Sequence, residues 1–172
     1  KVYDFLNIPP LGKITDLRHK EYTVIQLLEH TSGLPQYGPR SGDLGRDLGL
    51  GHAATLTDTV AYMWTQPLAY TPGSAHYSNW GYQLLGAIIE KASHQSYEDY
   101  IKKNIMGPIG ANSFAVASST GNAPNEIWYA GDGFDIPEYD FDSTSPLVEG
   151  PYAIDMSARP AAGSLICSAP DY

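Results

Sequence analysis

Residues 68–90 have the sequence LAYTPGSAHYSNWGYQLLGAIIE, and this stretch decides how the rest of the chain is interpreted. A Pro-Gly turn precedes Tyr77 and Asn79, which stand at the start of a strongly apolar segment. Within that segment the apolar side chains recur with helical spacing, at Leu84, Leu85, Ile88 and Ile89. Because Ser78 or Asn79 can cap such a helix, the pattern predicts a helix from Ser78 to about Ala92, with a phenol and an amide at its first turn.

The triplet at residues 77–79 resembles the Tyr-x-Asn element of the serine β-lactamase-like family. That family includes class C β-lactamases, low-molecular-weight penicillin-binding proteins, D-aminopeptidases and carboxylesterases of the β-lactamase type. Three more blocks are similar to family segments: YTVIQLLEHTSGLP at 22–35, YEDYIKKNIMGPIGA at 97–111 and AAGSLICSA at 161–169. Since the four blocks follow the family's order, the chain resembles the middle portion of such a protein.

The resemblance implies a serine hydrolase that forms an acyl-enzyme on a small ester, amide, peptide or β-lactam substrate. In that reaction Tyr77 would act as general base or proton shuttle, and Asn79 would bind substrate. A phenol has a pKa of about 10, so it needs a neighbouring cation to accept a proton at neutral pH. Structural roles remain open for both residues: a hydrogen bond from the Tyr77 hydroxyl to a backbone carbonyl, and helix capping by Asn79.

Two elements of the family pattern are missing from the sequence. The family's nucleophile lies in Ser-x-x-Lys, but no lysine of this chain has a serine three positions before it. The Lys-Thr-Gly or His-x-Gly element is absent as well. We therefore expect the chain to be the middle of a longer protein and to be inactive alone. The alternative is a noncatalytic β-lactamase-like module with a binding role or no independent role.

Composition places the chain among globular proteins and excludes some partners. With 42% hydrophobic and 17% charged residues over 172 positions, residues 1–172 can form a single domain with a core. The net charge of −9 argues against nucleic acid as a partner, because phosphate backbones attract clustered Lys and Arg. The sequence has no apolar run of about 18 residues, so we expect no membrane span. We expect no cofactor and no metal, since the five histidines are scattered without metal-ligand spacing.

The predicted fold is predominantly α with long irregular loops. It corresponds to the helical portion of the α/β (α+β) serine β-lactamase/transpeptidase-like fold, with most of the antiparallel sheet missing. We expect a helical core at about 22–111 and a loop-rich segment at about 112–172. The glycine-rich residues 36–54 predict an irregular loop. An apolar face without its partner layer would favour self-association or a complementary chain.

Other nucleophiles and bases have weaker support. His76 adjoins the triplet but is not a family position, and His30 is expected to stabilise a helix end. Ser32, Ser74 and Ser164 each stand beside a glycine, yet none lies in the Gly-x-Ser-x-Gly motif of α/β-hydrolases. Cys167 is expected to be a small buried apolar residue.

Overall fold

The computed structural model describes residues 1–131, 133–142 and 144–172. The α-helices are α1 (Val2–Leu6), α2 (Val24–Leu28), α3 (Ser41–Asp47), α4 (Leu56–Met63), α5 (Asn79–Ser93), α6 (Tyr97–Ile101), α7 (Gly107–Ile109) and α8 (Gly150–Ala153). A π-helical segment, Lys102–Met106, joins α6 to α7, and short 3₁₀ turns occupy Leu17–Lys20, Pro160–Ala162 and Ala169–Asp171. The strands are β1 (Ala115–Val116), β2 (Phe134–Asp135), β3 (Val148–Glu149) and β4 (Leu165–Ile166).

Helix α5 is the central element and forms where the sequence predicts it. The Ser78 side chain accepts a hydrogen bond from the Gly81 amide and so caps the first turn. At the other end His94 adopts the left-handed conformation that commonly terminates helices. One face of α5 is buried against α1, α2, α6 and the 3₁₀ turn Pro160–Ala162. The helix thus fixes the position of any group at its N-terminus.

One apolar core surrounds α5 and α4. Val60 and Ala61 of α4 and Trp64, which follows its last residue, are all buried. Two residues of α1, Val2 and Leu6, pack into the same core. The buried members of this cluster are Val2, Leu6, Tyr22, Leu27, Leu34, Val60, Met63, Trp64, Leu68, Trp80, Leu84 and Ala87. Because residues far apart in sequence share one core, the N-terminal segment and α5 form one packed unit.

Side-chain caps start the shorter helices. Thr23 forms a capping box with Gln26 at the start of α2. Thr55 forms the same reciprocal pair with Asp58 at the start of α4. Ser96 accepts a hydrogen bond from the Asp99 amide and starts α6. These local contacts determine where the three helices begin.

The prediction of an irregular loop over residues 36–54 is wrong in part, because α3 lies inside it. Its glycines are needed for close packing rather than for flexibility. A Cβ on Gly42 would lie 2.4 Å from the carbonyl oxygen of Asp140, and one on Gly45 would lie 2.1 Å from that of His52. Arg46 reinforces the contact by donating to the Asp140 carbonyl oxygen at 2.9 Å.

The described part of the segment after Gly110 contains four short strands, the four-residue helix α8 and two 3₁₀ turns. Strand β1 pairs antiparallel with β4, and β2 pairs antiparallel with β3. Within the described ranges, β structure is limited to these two-stranded ladders. The helical portion therefore dominates the regular structure of the described chain.

Cys167 and most apolar side chains of α2 lie at the surface. Cys167 is exposed, so the prediction that it is buried is wrong; it lies directly after the short strand β4. In α2 only Leu27 is buried, whereas Val24, Ile25 and Leu28 are about half exposed. A partner for this apolar face stays a prediction. No helix in the described part of the chain is both long and apolar enough to cross a membrane.

Candidate active site

Tyr77 and Asn79 lie together at the N-terminus of α5. The Tyr77 hydroxyl donates a hydrogen bond to Asn79 Oδ1 at 2.9 Å. The Tyr77 side chain is 60% exposed, and Asn79 is half-buried. Both side chains are therefore outside the packed interior and can be reached from solvent.

Asn79 does not cap the helix, and Tyr77 does not donate to a backbone carbonyl. Ser78, rather than Asn79, caps α5, and its hydroxyl also donates to the Pro35 carbonyl oxygen at 2.6 Å. The hydroxyl of Tyr77 donates to a side chain instead of a backbone carbonyl. Asn79 accepts through Oδ1, and among the described residues no acceptor takes either N–H of its amide, so both can donate to another group.

His30 supports this arrangement in a way the sequence did not predict. Its Nδ1 accepts a hydrogen bond from the Ser78 amide at 3.1 Å, across 48 positions of sequence. Its ring lies 4.7 Å from that of Tyr77 and 5.0 Å from that of Tyr82. The residue adopts φ 56°, which lets the chain turn after α2. His30 is thus a positioning residue beside the phenol, and only its place in a family-like block could have indicated it.

The loop before Tyr77 is fastened to the turn that follows His30. The Tyr70 amide donates to the Gly33 carbonyl oxygen at 3.0 Å, and the His76 amide donates to the His30 carbonyl oxygen at 2.9 Å. Gly33 has φ 83°, and a Cβ there would lie 2.6 Å from the Tyr70 carbonyl oxygen, so a side chain is excluded. His76 is exposed and stacks on Tyr70 with ring centroids 3.8 Å apart. The backbone hydrogen bonds and the aromatic contact of this loop hold Tyr77 in place.

A small cavity of mixed polar and apolar lining lies beside Asn79. Its volume is about 20 Å³, and its lining includes Tyr37, Asn79, Trp80, Gln83, Glu138 and Arg159. Arg159 forms an ion pair with Glu138, and both side chains are mostly buried. The cavity therefore lies between the N-terminal half of α5 and the loop-rich segment after β1.

The serines considered as nucleophiles do not meet Tyr77 in this structure. Ser32 and Ser164 are buried, and no hydrogen bond joins either side chain to Tyr77 in the described residues. In the same ranges, His, Cys, Asp and Glu form no group of three that could hold a metal ion. The side chains that meet at the start of α5 are thus a phenol and a carboxamide joined by one hydrogen bond.

Comparison with known proteins gives a family match and partial relatives. Residues 9–172 match the model of the beta-lactamase family. The chain is 40% identical over 97 residues to penicillin-binding protein 4* of Bacillus subtilis (strain 168). The aligned residues cover 55% of this chain and 21% of that protein. The chain thus spans about a fifth of the length of this curated relative.

Two solved structures are similar over almost the whole chain. The D-stereospecific amidohydrolase from a Streptomyces species has a TM-score of 0.65 at 22% identity, covering 99% of this chain and 49% of that one. The octameric penicillin-binding protein homologue from Pyrococcus abyssi has a TM-score of 0.55 at 30% identity. The match covers 99% of this chain and 36% of that one. The fold of the described residues is therefore that of the serine β-lactamase/transpeptidase-like proteins.

Proposed function

The chain belongs to the beta-lactamase family, and we propose that it forms part of a serine hydrolase that acylates itself with an ester, amide or β-lactam substrate. In this proposal Tyr77 transfers protons and Asn79 binds substrate. The observation that carries it is the hydrogen bond of 2.9 Å between these side chains at the exposed start of α5.

The role of Tyr77 follows from what acyl transfer requires. Tyr77 acts as the phenolate: it takes the proton of the serine hydroxyl while the serine oxygen bonds to the acyl carbon. The bond from the acyl carbon to the leaving amine or alkoxide then breaks, and the proton passes from Tyr77 to that leaving group. An ordinary phenol has a pKa of about 10, so a cation must lie close to Tyr77 to favour this transfer at neutral pH. In the family the lysine of Ser-x-x-Lys has that place. We propose that serine and lysine both come from sequence outside residues 1–172.

Asn79 is suited to hold the substrate carbonyl. Its Oδ1 accepts from Tyr77, which orients the amide, and its two N–H donors remain for a substrate oxygen. As the first residue of α5 it also stands at the positive end of the helix dipole, where a polarised carbonyl oxygen is favoured. One amide thus couples substrate position to the proton-transferring phenol.

The relatives support a hydrolase but do not identify the group that departs from the acyl carbon. The similar proteins include one named as a penicillin-binding protein and one named as an amidohydrolase. We propose peptidase or esterase activity over a dedicated β-lactamase, because the acidic, tyrosine-rich loops do not closely resemble those of β-lactamases.

The test uses the full-length protein that contains this chain. A fluorophosphonate or penicillin probe should label one serine, and Tyr77→Phe should lower kcat/KM for an activated ester by roughly 10²- to 10⁴-fold, the usual contribution of general acid–base catalysis. Tyr70→Phe is the matched control, since Tyr70 is also exposed and also stacks on a histidine. Full activity of Tyr77→Phe would contradict the assigned role.

The second candidate is a noncatalytic module. It is favoured by one observation, that no Ser-x-x-Lys occurs in the 172 residues. The two candidates differ in a simple measurement: the hydrolase requires a labelled serine in the full-length protein, whereas the module gives none. For residues 1–172 alone, both candidates predict no covalent labelling at any serine.

A further inference from the structure

Four large apolar side chains of the loop-rich segment are strongly exposed. Trp128 is 81% exposed, Ile127 73%, Phe134 67% and Leu147 59%. Single exposed apolar residues are common on protein surfaces, but a group of them within one short segment is typical of an interaction site. We call these four side chains the β2–β3 surface, because they lie on or around the ladder of those two strands.

The backbone brings the β2–β3 surface to one region of the fold. The Trp128 ring lies 6.2 Å from the ring of Tyr152 in α8. The Gly150 amide, at the start of α8, donates to the Gly133 carbonyl oxygen at 2.9 Å, directly before β2 pairs with β3. Trp128 and β2 thus lie along one continuous stretch, residues 148–152.

Nearly all of the net negative charge belongs to the same part of the sequence. Residues 104–158 contain eight Asp and Glu and no Lys, Arg or His, whereas the rest of the chain contains 11 acidic residues and 10 Lys and Arg. About a third of the chain therefore carries −8 of the formal net charge of −9. Arg40 and Arg46 of α3 approach this segment, but they donate to its backbone carbonyl oxygens rather than to its carboxylates. The β2–β3 surface consequently lies in a strongly negative field.

Carboxylates stand directly beside the exposed rings. Phe134 is paired with Glu149 across the ladder, so these two side chains lie on the same face. Asp135 is exposed, and within the described ranges neither Asp135 nor Glu149 forms an ion pair. The ion pair that the structure does show in this segment, Arg159 with Glu138, is mostly buried. The carboxylates at the ladder are therefore available to a cation from another molecule.

This combination favours a cationic partner that also has apolar side chains. Carboxylates attract Lys and Arg, and the faces of aromatic rings attract the same cations. An uncharged apolar partner would cover Asp135 and Glu149 without compensating their charge, which is costly. A second copy of this chain is disfavoured, because both copies carry the same negative charge at this surface.

We propose that the β2–β3 surface binds a polypeptide segment rich in lysine or arginine and in apolar residues. Trp128 and Phe134 contact its apolar side chains, and Asp135 and Glu149 pair with its cations. The surface includes no residue of the candidate active site, so this inference is independent of the proposed hydrolase function.

Isothermal titration calorimetry with the full-length protein that contains this chain tests the proposal. The probe is a synthetic peptide of four Lys-Leu-Gly repeats in 0.15 M salt, and it should bind saturably. Three control peptides replace the repeat by Glu-Leu-Gly, which reverses the charge, by Ser-Leu-Gly, which removes it, or by Lys-Ser-Gly, which removes the apolar side chains. Each control peptide should bind at least about tenfold more weakly, since it lacks one of the two required contacts.

Aromatic variants locate the binding. Trp128→Ser and Phe134→Ser should each weaken binding of the Lys-Leu-Gly peptide by about tenfold, the usual effect of losing a central aromatic contact. Both variants should fold normally, because the two side chains are mostly exposed. Phe5→Ser is the matched control, at a phenylalanine of α1 that is 47% exposed and lies outside the β2–β3 surface.

Charge variants separate local pairing from the total charge. Asp135→Asn combined with Glu149→Gln removes two negative charges and should weaken binding by roughly 3- to 10-fold. Glu21→Gln combined with Glu29→Gln changes the net charge equally, at exposed positions near the two ends of α2. This control should bind nearly as tightly as the parent protein, because distant charges are largely screened at 0.15 M salt.

Several results would overturn the proposal. They are no saturable binding of the Lys-Leu-Gly peptide, equal binding of any control peptide, or full binding by Trp128→Ser and Phe134→Ser. An equal loss in the Glu21 and Glu29 double variant would also overturn it, because binding would then follow total charge. Sedimentation that shows a dimer of the parent protein, dissociated by Trp128→Ser, would assign the surface to a second copy instead.

Discussion

Replacement of Ser78 by alanine should destabilise the chain and separate the structural role of residue 78 from the proposed chemical role of residue 79. The Ser78 hydroxyl accepts from the Gly81 amide at 2.9 Å and donates to the Pro35 carbonyl oxygen at 2.6 Å. Ser78 is 1% exposed, so water cannot replace either bond. Both bonds are lost together in Ser78→Ala.

The magnitude follows from these two bonds. Loss of an N-cap costs about 1 kcal/mol, and a buried carbonyl left without its donor costs about 1–2 kcal/mol more. Ser78→Ala should therefore reduce the free energy of unfolding by about 2–3 kcal/mol, which lowers Tm by about 4–12 °C for a chain of this length. Asn79→Ala should cost far less, because Asn79 caps nothing and its recorded partner is the exposed Tyr77.

Urea unfolding followed by tryptophan fluorescence compares the two variants directly, since Trp80 and Trp64 are fully buried in the core around α5. Equal stability of Ser78→Ala and the parent chain would refute the reasoning. A larger loss in Asn79→Ala than in Ser78→Ala would also refute it, because Asn79 would then be the cap. Ser78→Thr keeps a hydroxyl at the cap and should recover part of the lost stability.

Two further perturbations test the core and the packing of α3. Burial lowers the pKa of His19, whose Nε2 donates to the Gln66 carbonyl oxygen at 2.8 Å, so the folded chain binds fewer protons than the unfolded one. His19 therefore contributes stability that is present above the ordinary histidine pKa and is lost as the pH falls below it. The urea midpoint of unfolding, compared at pH 7.5 and 5.5, measures this loss. In His19→Phe the urea midpoint should change less between these two pH values. Gly42→Ala should destabilise the chain, since its Cβ would meet the Asp140 carbonyl oxygen at 2.4 Å, whereas Gly121→Ala, with open space around it, should leave Tm nearly unchanged. Equal Tm values for the two glycine variants would show that α3 does not need this close approach.

Local chemistry explains why some elements were predictable. The start of α5, the capping box at Thr23 and the inward face of α4 depend on residues within one or two helical turns of each other. Periodicity and capping are properties of neighbouring residues, so they can be deduced before any tertiary contact is known. Tyr77 and Asn79 became candidates because the triplet that contains them resembles a family element and stands at the start of this predicted helix.

Contacts between distant residues explain what was missed. Gly42 and Gly45 predicted a loop, yet they allow α3 to approach the backbone of Asp140 and His52. A glycine gives the same local signal whether it supplies flexibility or room for a neighbour, so only the packed partner distinguishes the two. Cys167 was misjudged for a related reason, because exposure depends on which segments cover a residue.

The sequence by itself determined the family, the capped helix and the identity of the phenol and amide at its first turn, because motif order and periodicity are written along the chain. Only the tertiary structure decided that Ser78 is the cap, that His30 supports Tyr77 and that Gln83 lies in one cavity with Glu138. The His30 contact spans 48 positions, and Gln83 and Glu138 belong to segments joined only by folding. Such contacts form only when the core packs, and no local preference of the chain specifies them in advance.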